Sequence, residues 1–196
     1  MNERIATLVD EMADHRERFE AFCRSLSAEE LATHVPDAPW TVQAYIAHLG
    51  TIDALLCRFF GPFVGITDIP PLDVLPPTPF DIDEWNEAIV AKRADASVDD
   101  LLAEAAVHRA NYVRILQAIP DPQLDAMIPF GGDRKVIDLP ATTVRLEDML
   151  WSIALHDPRH AADMLRALPQ REPDLREWLA SADFARVPAA INDRRV

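Results

Sequence analysis

Apolar residues recur at helical spacing along most of this chain. Ile5, Leu8, Met12, Phe19, Phe22 and Leu26 form one stripe and predict a first long helix over about Glu3 to Arg24. Ser27-Ala28-Glu29-Glu30 has the S-x-x-E form of a capping box and predicts a short connecting helix, after which Val35-Pro36-Asp37-Ala38-Pro39 breaks the pattern. The second long helix opens on Thr41 as N-cap, with Trp40 packing on Tyr45 as a hydrophobic staple. It is expected to run through Phe60 and stop at Gly61-Pro62. Residues 61–80 are rich in proline and read as a crossover loop, too long to require that the next helix be an antiparallel neighbour. Residues 81–119 form a third helical arm, interrupted near Ala96-Ser97, where Ser97 resembles a new N-cap followed by Asp99 and Asp100.

The periodicity lapses from Pro120 to Thr143. Within that stretch Pro129-Phe130-Gly131-Gly132-Asp133 reads as a turn between two short strands. A fourth long helix occupies about Val144 to Leu168 and ends at Pro169. A final short helix follows Pro173, docked by Trp178. The expected fold class is all-α: a four-helix bundle with a long crossover between the second and third helices. Residues 1–196 form one domain in this reading, with about 170–196 packed on the bundle.

Composition narrows the function. Five glycines in 196 residues favour helices over a sheet with tight turns. The formal net charge of −14 repels a phosphate backbone, so no nucleic acid partner is expected, and anionic membranes are disfavoured by the same field. No apolar run has the length of a membrane span, and the polar start Met1-Asn2-Glu3-Arg4 is no signal peptide, which points to the cytoplasm. Cys23 and Cys57 are too few for a disulfide framework. Cys57 lies nine residues beyond His48, about half a turn around the helix axis, and so points away from it.

The histidines carry the chemistry. His156 and His160 stand four apart on the fourth helix and so share one face. His48 is central to the apolar stripe of the second helix, among Ala44, Tyr45, Ile52, Leu55 and Phe59. Three converging imidazoles make an open metal site with one position left for water or substrate. His15, between Met12 and Phe19, and His108, among Leu101, Ala105 and Tyr112, fall near the midpoints of their helices. Five imidazoles are thus expected in one layer, with His15 and His108 read as hydrogen-bonded core residues. The pair is not the H-E-x-x-H of a metalloprotease, because Asp157 replaces the glutamate and Pro158 follows. Pro158 is expected to kink a continuous helix and free the carbonyl of Ala154 near the site.

Three stretches resemble the DinB/YfiT-like superfamily, which includes bacillithiol transferases and mycothiol-dependent maleylpyruvate isomerase. They are Trp40-Thr41-Val42-Gln43-Ala44-Tyr45-Ile46-Ala47-His48, Asp83-Glu84-Trp85-Asn86-Glu87, and His156-Asp157-Pro158-Arg159-His160-Ala161-Ala162-Asp163. The resemblance implies a four-helix bundle with a long crossover and a divalent metal, zinc or nickel, on His48, His156 and His160. It also implies a low-molecular-weight thiol co-substrate such as mycothiol, transferred or added to a small electrophilic molecule. Asp163 and Tyr45 are expected to orient the ligands; His15, His108 and Tyr112 are expected to line a substrate pocket or simply to be core. Seventeen arginines against two lysines, Lys92 and Lys135, indicate a GC-rich genome and fit mycothiol or glutathione better than bacillithiol.

Two other readings stay open at this point. The bundle is a non-catalytic binding, sequestration or self-resistance protein, or it is a structural homodimer without metal. No residue stands out as a general acid or base, so the catalytic group is left unassigned.

Overall fold

The computed structural model describes residues 2–78, 81–130, 142–188 and 191. Its helices are α1 (Glu3–Arg24), α2 (Ala28–Leu31), α3 (Val42–Phe63), α4 (Ile82–Lys92), α5 (Val98–Gln117), α6 (Leu146–Ala154), α7 (His156–Leu165) and α8 (Glu172–Ser181). One small antiparallel pair, β1 (Met127–Phe130) and β2 (Thr142–Arg145), leads into α6. Among the described residues the fold is all-α apart from that pair, as the periodicity predicts. The two strands stand where the lapse in periodicity placed them, but Pro129 and Phe130 belong to β1 and not to the turn. Residues 131–133 lie outside the described residues.

The predicted caps are formed. Ser27 and Glu30 close a reciprocal capping box on α2, Thr41 accepts from Ala44 N at the start of α3, and Ser97 accepts from Asp100 N at the start of α5. Trp40 packs edge-on against Tyr45 with ring centroids 5.2 Å apart. The end of α3 differs from expectation. It runs on to Phe63 with Pro62 in its last turn, because proline removes only one bond there and Val64 N still finds the carbonyls of Phe60 and Gly61.

Helix directions follow from the contacts. On α3 and α5, a Cβ built on Gly50 comes within 2.9 Å of Ala105 Cα, and Asp53 meets Arg109 further along, so the two helices run parallel. Parallel neighbours require a long connection, which the proline-rich crossover and α4 supply. Trp85 and Ile89 of α4 pack on Leu55, and Trp85 Nε1 donates to the crossover carbonyl of Val74 at 3.0 Å. Likewise Arg4 pairs with Glu147 and Arg16 with Asp157, so α1 runs parallel to α6 and α7.

Two large apolar clusters fill most of the interior beside the smaller one around Trp85. One gathers Ile5, Leu8, Met12, Ile52, Leu56, Tyr112, Ile115 and Leu150; the other gathers Phe19, Phe22, Ile46, Leu49, Leu101, Leu102, Met164 and Trp178. The early turns of α1 share a cluster with the late turns of α3 and α5, so these two pairs of helices are antiparallel. Trp178 fastens α8 to α1, its Nε1 donating to His15 Nδ1 at 2.9 Å.

Candidate metal centre

The fourth predicted helix is not one helix. It breaks at Leu155, whose φ of −88° and ψ of 8° close α6 and open α7. This corrects the expectation of a kinked continuous helix, and the reason lies in Pro158. With α7 starting at His156, Pro158 is the third helical residue, where no intrahelical partner exists for its missing N–H. The break also removes the clash that a proline makes with the carbonyl four residues earlier. His156 and His160 both fall within α7, so they still share a face.

They converge closely. His156 Nε2 and His160 Nε2 lie 3.0 Å apart, and the centroids of those rings are 4.2 Å apart. His48 joins from α3, with its ring centroid 5.5 Å from His156 and 5.3 Å from His160. One nitrogen from each of the three lies within 4.8 Å of the others, and all three residues are buried. Burial pushes His48 down to about 3, helped by His160. His156 is held well below its ordinary value by burial, with His160, His48, Arg109 and Arg16 adding to the effect. These two imidazoles are neutral at pH 7 and offer lone pairs.

The chain prepares each ring. Thr51 Oγ1 lies 2.5 Å from the His48 carbonyl and donates its single proton there. It stands 3.2 Å from His48 Nδ1, so that nitrogen carries the proton and the hydroxyl accepts it. His48 Nε2 is left with its lone pair free, as a metal ligand requires. Asp163 Oδ2 lies 3.6 Å from His160 Nδ1, and Asp157 Oδ1 lies 4.0 Å from His156 Nδ1. Neither of those two Nδ1 atoms has a hydrogen-bond partner.

The donor set fits an ion. With bonds of about 2.0–2.1 Å, nitrogens sharing one metal stand roughly 3.0–3.4 Å apart, a spacing the His156–His160 pair already has. Without a cation, one ring must donate an Nε2 proton to the other, which leaves its own buried Nδ1 a bare lone pair turned to a carboxylate. Three imidazole ligands suit zinc or nickel.

Among the other predicted residues, Tyr45 meets His160 edge-on at 5.2 Å, and Trp40 is the ring on His48 at 5.0 Å. Of the five imidazoles expected in one layer, three converge and two turn to other partners. His15 is turned to Trp178 and to Glu11 Oε1 at 3.5 Å, and His108 is half-buried with Nε2 3.6 Å from Glu104. Tyr112 is fully buried in the first apolar cluster. Cys57 faces the His108 carbonyl at 4.0 Å and so points away from the triad, as predicted. A surface cavity of about 440 Å³ lies between α1 and α8, lined by Phe22, Leu175 and Trp178, and none of the three histidines borders it.

Two groups of residues escaped the sequence reading. Trp40 is marked by the sequence only as a staple. It is brought over His48 by an antiparallel bridge between His34 and Thr41, with Val35 N bonded to Trp40 O at 3.0 Å. Arg16, Asp53 and Arg109 form a buried ionic cluster with Asp157. Their signal was a charge inside an apolar stripe. Arg16 follows Met12 by four and precedes Phe19 by three, and Arg109 stands in the same relation to Ala105 and Tyr112.

An all-α fold carrying three buried, convergent histidines defines a class of helical protein with a metal-competent centre. The profile of the DinB superfamily matches residues 6–164, and the chain belongs to that superfamily. No curated protein and no solved structure matches it. No helix among the described residues is long and apolar enough to cross a membrane.

Proposed function

We propose that this protein is a metal-dependent enzyme that transfers or adds a low-molecular-weight thiol to a small electrophilic molecule. The observation that carries the reading is the buried convergence of His48, His156 and His160 with no carboxylate among them. A zinc or nickel ion held there leaves its charge uncompensated and supplies Lewis acidity that lowers the pKa of a thiol or water in its open position. The chain's own part is preparatory. Thr51 fixes the His48 tautomer, Asp163 faces His160, and Trp40 and Tyr45 cover the rings and keep water off them. Asp157 is not the base, because two guanidiniums hold it. Mycothiol is the favoured thiol on the arginine-rich composition. In this reading the protein works in the cytoplasm as a homodimer and binds no nucleic acid.

Elemental analysis of the purified chain beside His48→Ala tests the centre. About one equivalent of zinc or nickel in the native protein and a large loss in the variant is the expected result. A metal-loaded protein is then assayed with mycothiol and a panel of halogenated and unsaturated electrophiles. Tight binding of an electrophile with no turnover would replace the enzyme by a sequestering protein. Metal-free protein after reconstitution would remove the reading altogether.

A further inference from the structure

Each of four helices sends one charge to the same buried place. Arg16 comes from α1, Asp53 from α3, Arg109 from α5 and Asp157 from α7, and all four are buried. Arg16 grips Asp157 with both arms of its fork, Nε to Oδ2 at 2.7 Å and Nη2 to Oδ1 at 3.1 Å. Arg16 Nη2 also lies 3.7 Å from Asp53 Oδ2, which accepts from Arg109 Nε at 2.7 Å. Arg109 Nη2 closes the ring 3.6 Å from Asp157 Oδ1, and its Nη1 donates to the Met12 carbonyl at 3.3 Å. The charges alternate around the ring and sum to zero.

The ring lies between the two apolar clusters, not inside either. Along α1, Met12 belongs to one cluster and Phe19 to the other, with Arg16 between them. Along α7 and its approach, Leu155 belongs to one and Ala161 to the other, with Asp157 between. Burying four charges contributes little net stability compared with a well-packed apolar layer. A fork pinned to a carboxylate, however, permits one geometry where apolar packing permits several.

What is pinned is the first turn of α7. Asp157 is its second residue, flanked by His156, and His160 sits one turn on. Because α6 and α7 are separate helices joined at Leu155, α7 is free to be set by its own contacts. No side chain caps its N-terminus. We propose that Arg16, Asp53 and Arg109, acting through Asp157, are positioning residues that fix the rotation of α7 and thereby hold His156 and His160 toward His48. The inference rests on the three-histidine reading of the centre.

Arg16→Lys tests it, since lysine keeps the charge and removes the fork. Two readouts are taken against Arg18→Lys, a control on an exposed arginine of the same helix paired with Asp14. The first is metal-free: imidazole nitrogen shifts of His156 and His160 in long-range ¹H–¹⁵N spectra. The second is Co²⁺ affinity with the visible spectrum of the bound ion, which reports ligand geometry.

Arg16→Lys is expected to move both sets of ring shifts, to weaken Co²⁺ binding by tenfold or more, and to change the visible bands. The control is expected to leave all three as in the native chain. If Arg16→Lys does not fold, Arg109→Lys repeats the test through the other arm of the ring. A variant that melts lower yet keeps native ring shifts and native Co²⁺ binding would make the ring merely structural and overturn the proposal. A native chain that takes up no Co²⁺ would sink the metal reading instead, and the ring shifts would still decide whether α7 is held this way.

Discussion

At the scale of single residues, the structure turns on which atom carries a proton. Thr51 has one hydroxyl proton, and the His48 carbonyl takes it, which obliges His48 Nδ1 to be the donor in their second contact. Thr51→Val keeps the shape and removes that acceptor. The variant is expected to lose about 10- to 100-fold in metal affinity, as when other partners of ligating histidines are lost. Thr51→Ser is expected to keep most of it. Equal affinities for the native and valine proteins in a competition titration would show that Thr51 does not set the ring. The cysteines give a second prediction at this scale. Burial, with Asp53 nearby, pushes the Cys57 thiol up to about 12, and burial raises Cys23 well above its ordinary value. A thiol at such a value is almost wholly protonated at pH 8 and is a poor nucleophile. Iodoacetamide at pH 8 is therefore expected to label neither cysteine in the native chain and both in denaturant. Rapid native labelling of Cys57 would reopen it as a reactive group.

At the scale of elements, α3 lies close against α5 at Gly50. Glycine inside a helix normally costs about 1 kcal/mol relative to alanine, so Gly50→Ala looks stabilising from sequence alone. Here the added Cβ would stand 2.9 Å from Ala105 Cα, a backbone atom that cannot step aside. Overpacking of that kind costs about 1–3 kcal/mol. The expected result is a net loss of roughly 1 kcal/mol in urea unfolding, and a raised midpoint would contradict the close approach.

The same scale shows why part of the fold was legible and part was not. The starts of α2, α3 and α5 were readable because Ser27, Thr41 and Ser97 act on groups within three residues of themselves. The histidine set was readable for a related reason, since two ligands lie one turn apart and the third sits in an apolar stripe. The break at Leu155 was not readable. A proline four residues after Ala154 is compatible with a kink or a restart, and the choice depends on what grips Asp157. That grip comes from Arg16, 141 residues away in the chain. Pairing across such a separation leaves no local trace beyond a charge in an apolar stripe. The ring that Tyr45 meets, His160, was equally illegible, because it lies on another helix far along the chain.

For the whole molecule, acid has two opposed effects. Protonating carboxylates that lie away from arginines relieves the self-repulsion of a chain with net charge −14, which favours the folded state. Buried neutral histidines act the other way, and His15 isolates the effect because it lies outside the metal centre. Burial depresses its pKa below the ordinary 6.5, against the pull of Glu11, Asp157 and Asp14 and with a small push from Arg18. The unfolded chain therefore takes up a proton near pH 6.5 that the folded chain refuses. Between the two values the unfolded state holds more protons, so stability is full above about pH 6.5 and falls as pH drops toward the folded value. Protonation of Nδ1 also destroys the acceptor for Trp178 Nε1, the bond that fastens α8 to α1. His15→Asn keeps an acceptor and cannot titrate, so its cost in packing is the same at every pH. Urea unfolding of both proteins from pH 8 to pH 5 is expected to show a constant stability difference above pH 7. That difference should then shrink as the native chain alone loses stability, while the self-repulsion common to both cancels. A difference that stays flat to pH 5 would mean that His15 titrates alike in the folded and unfolded chains, and that α8 is held by packing without the hydrogen bond.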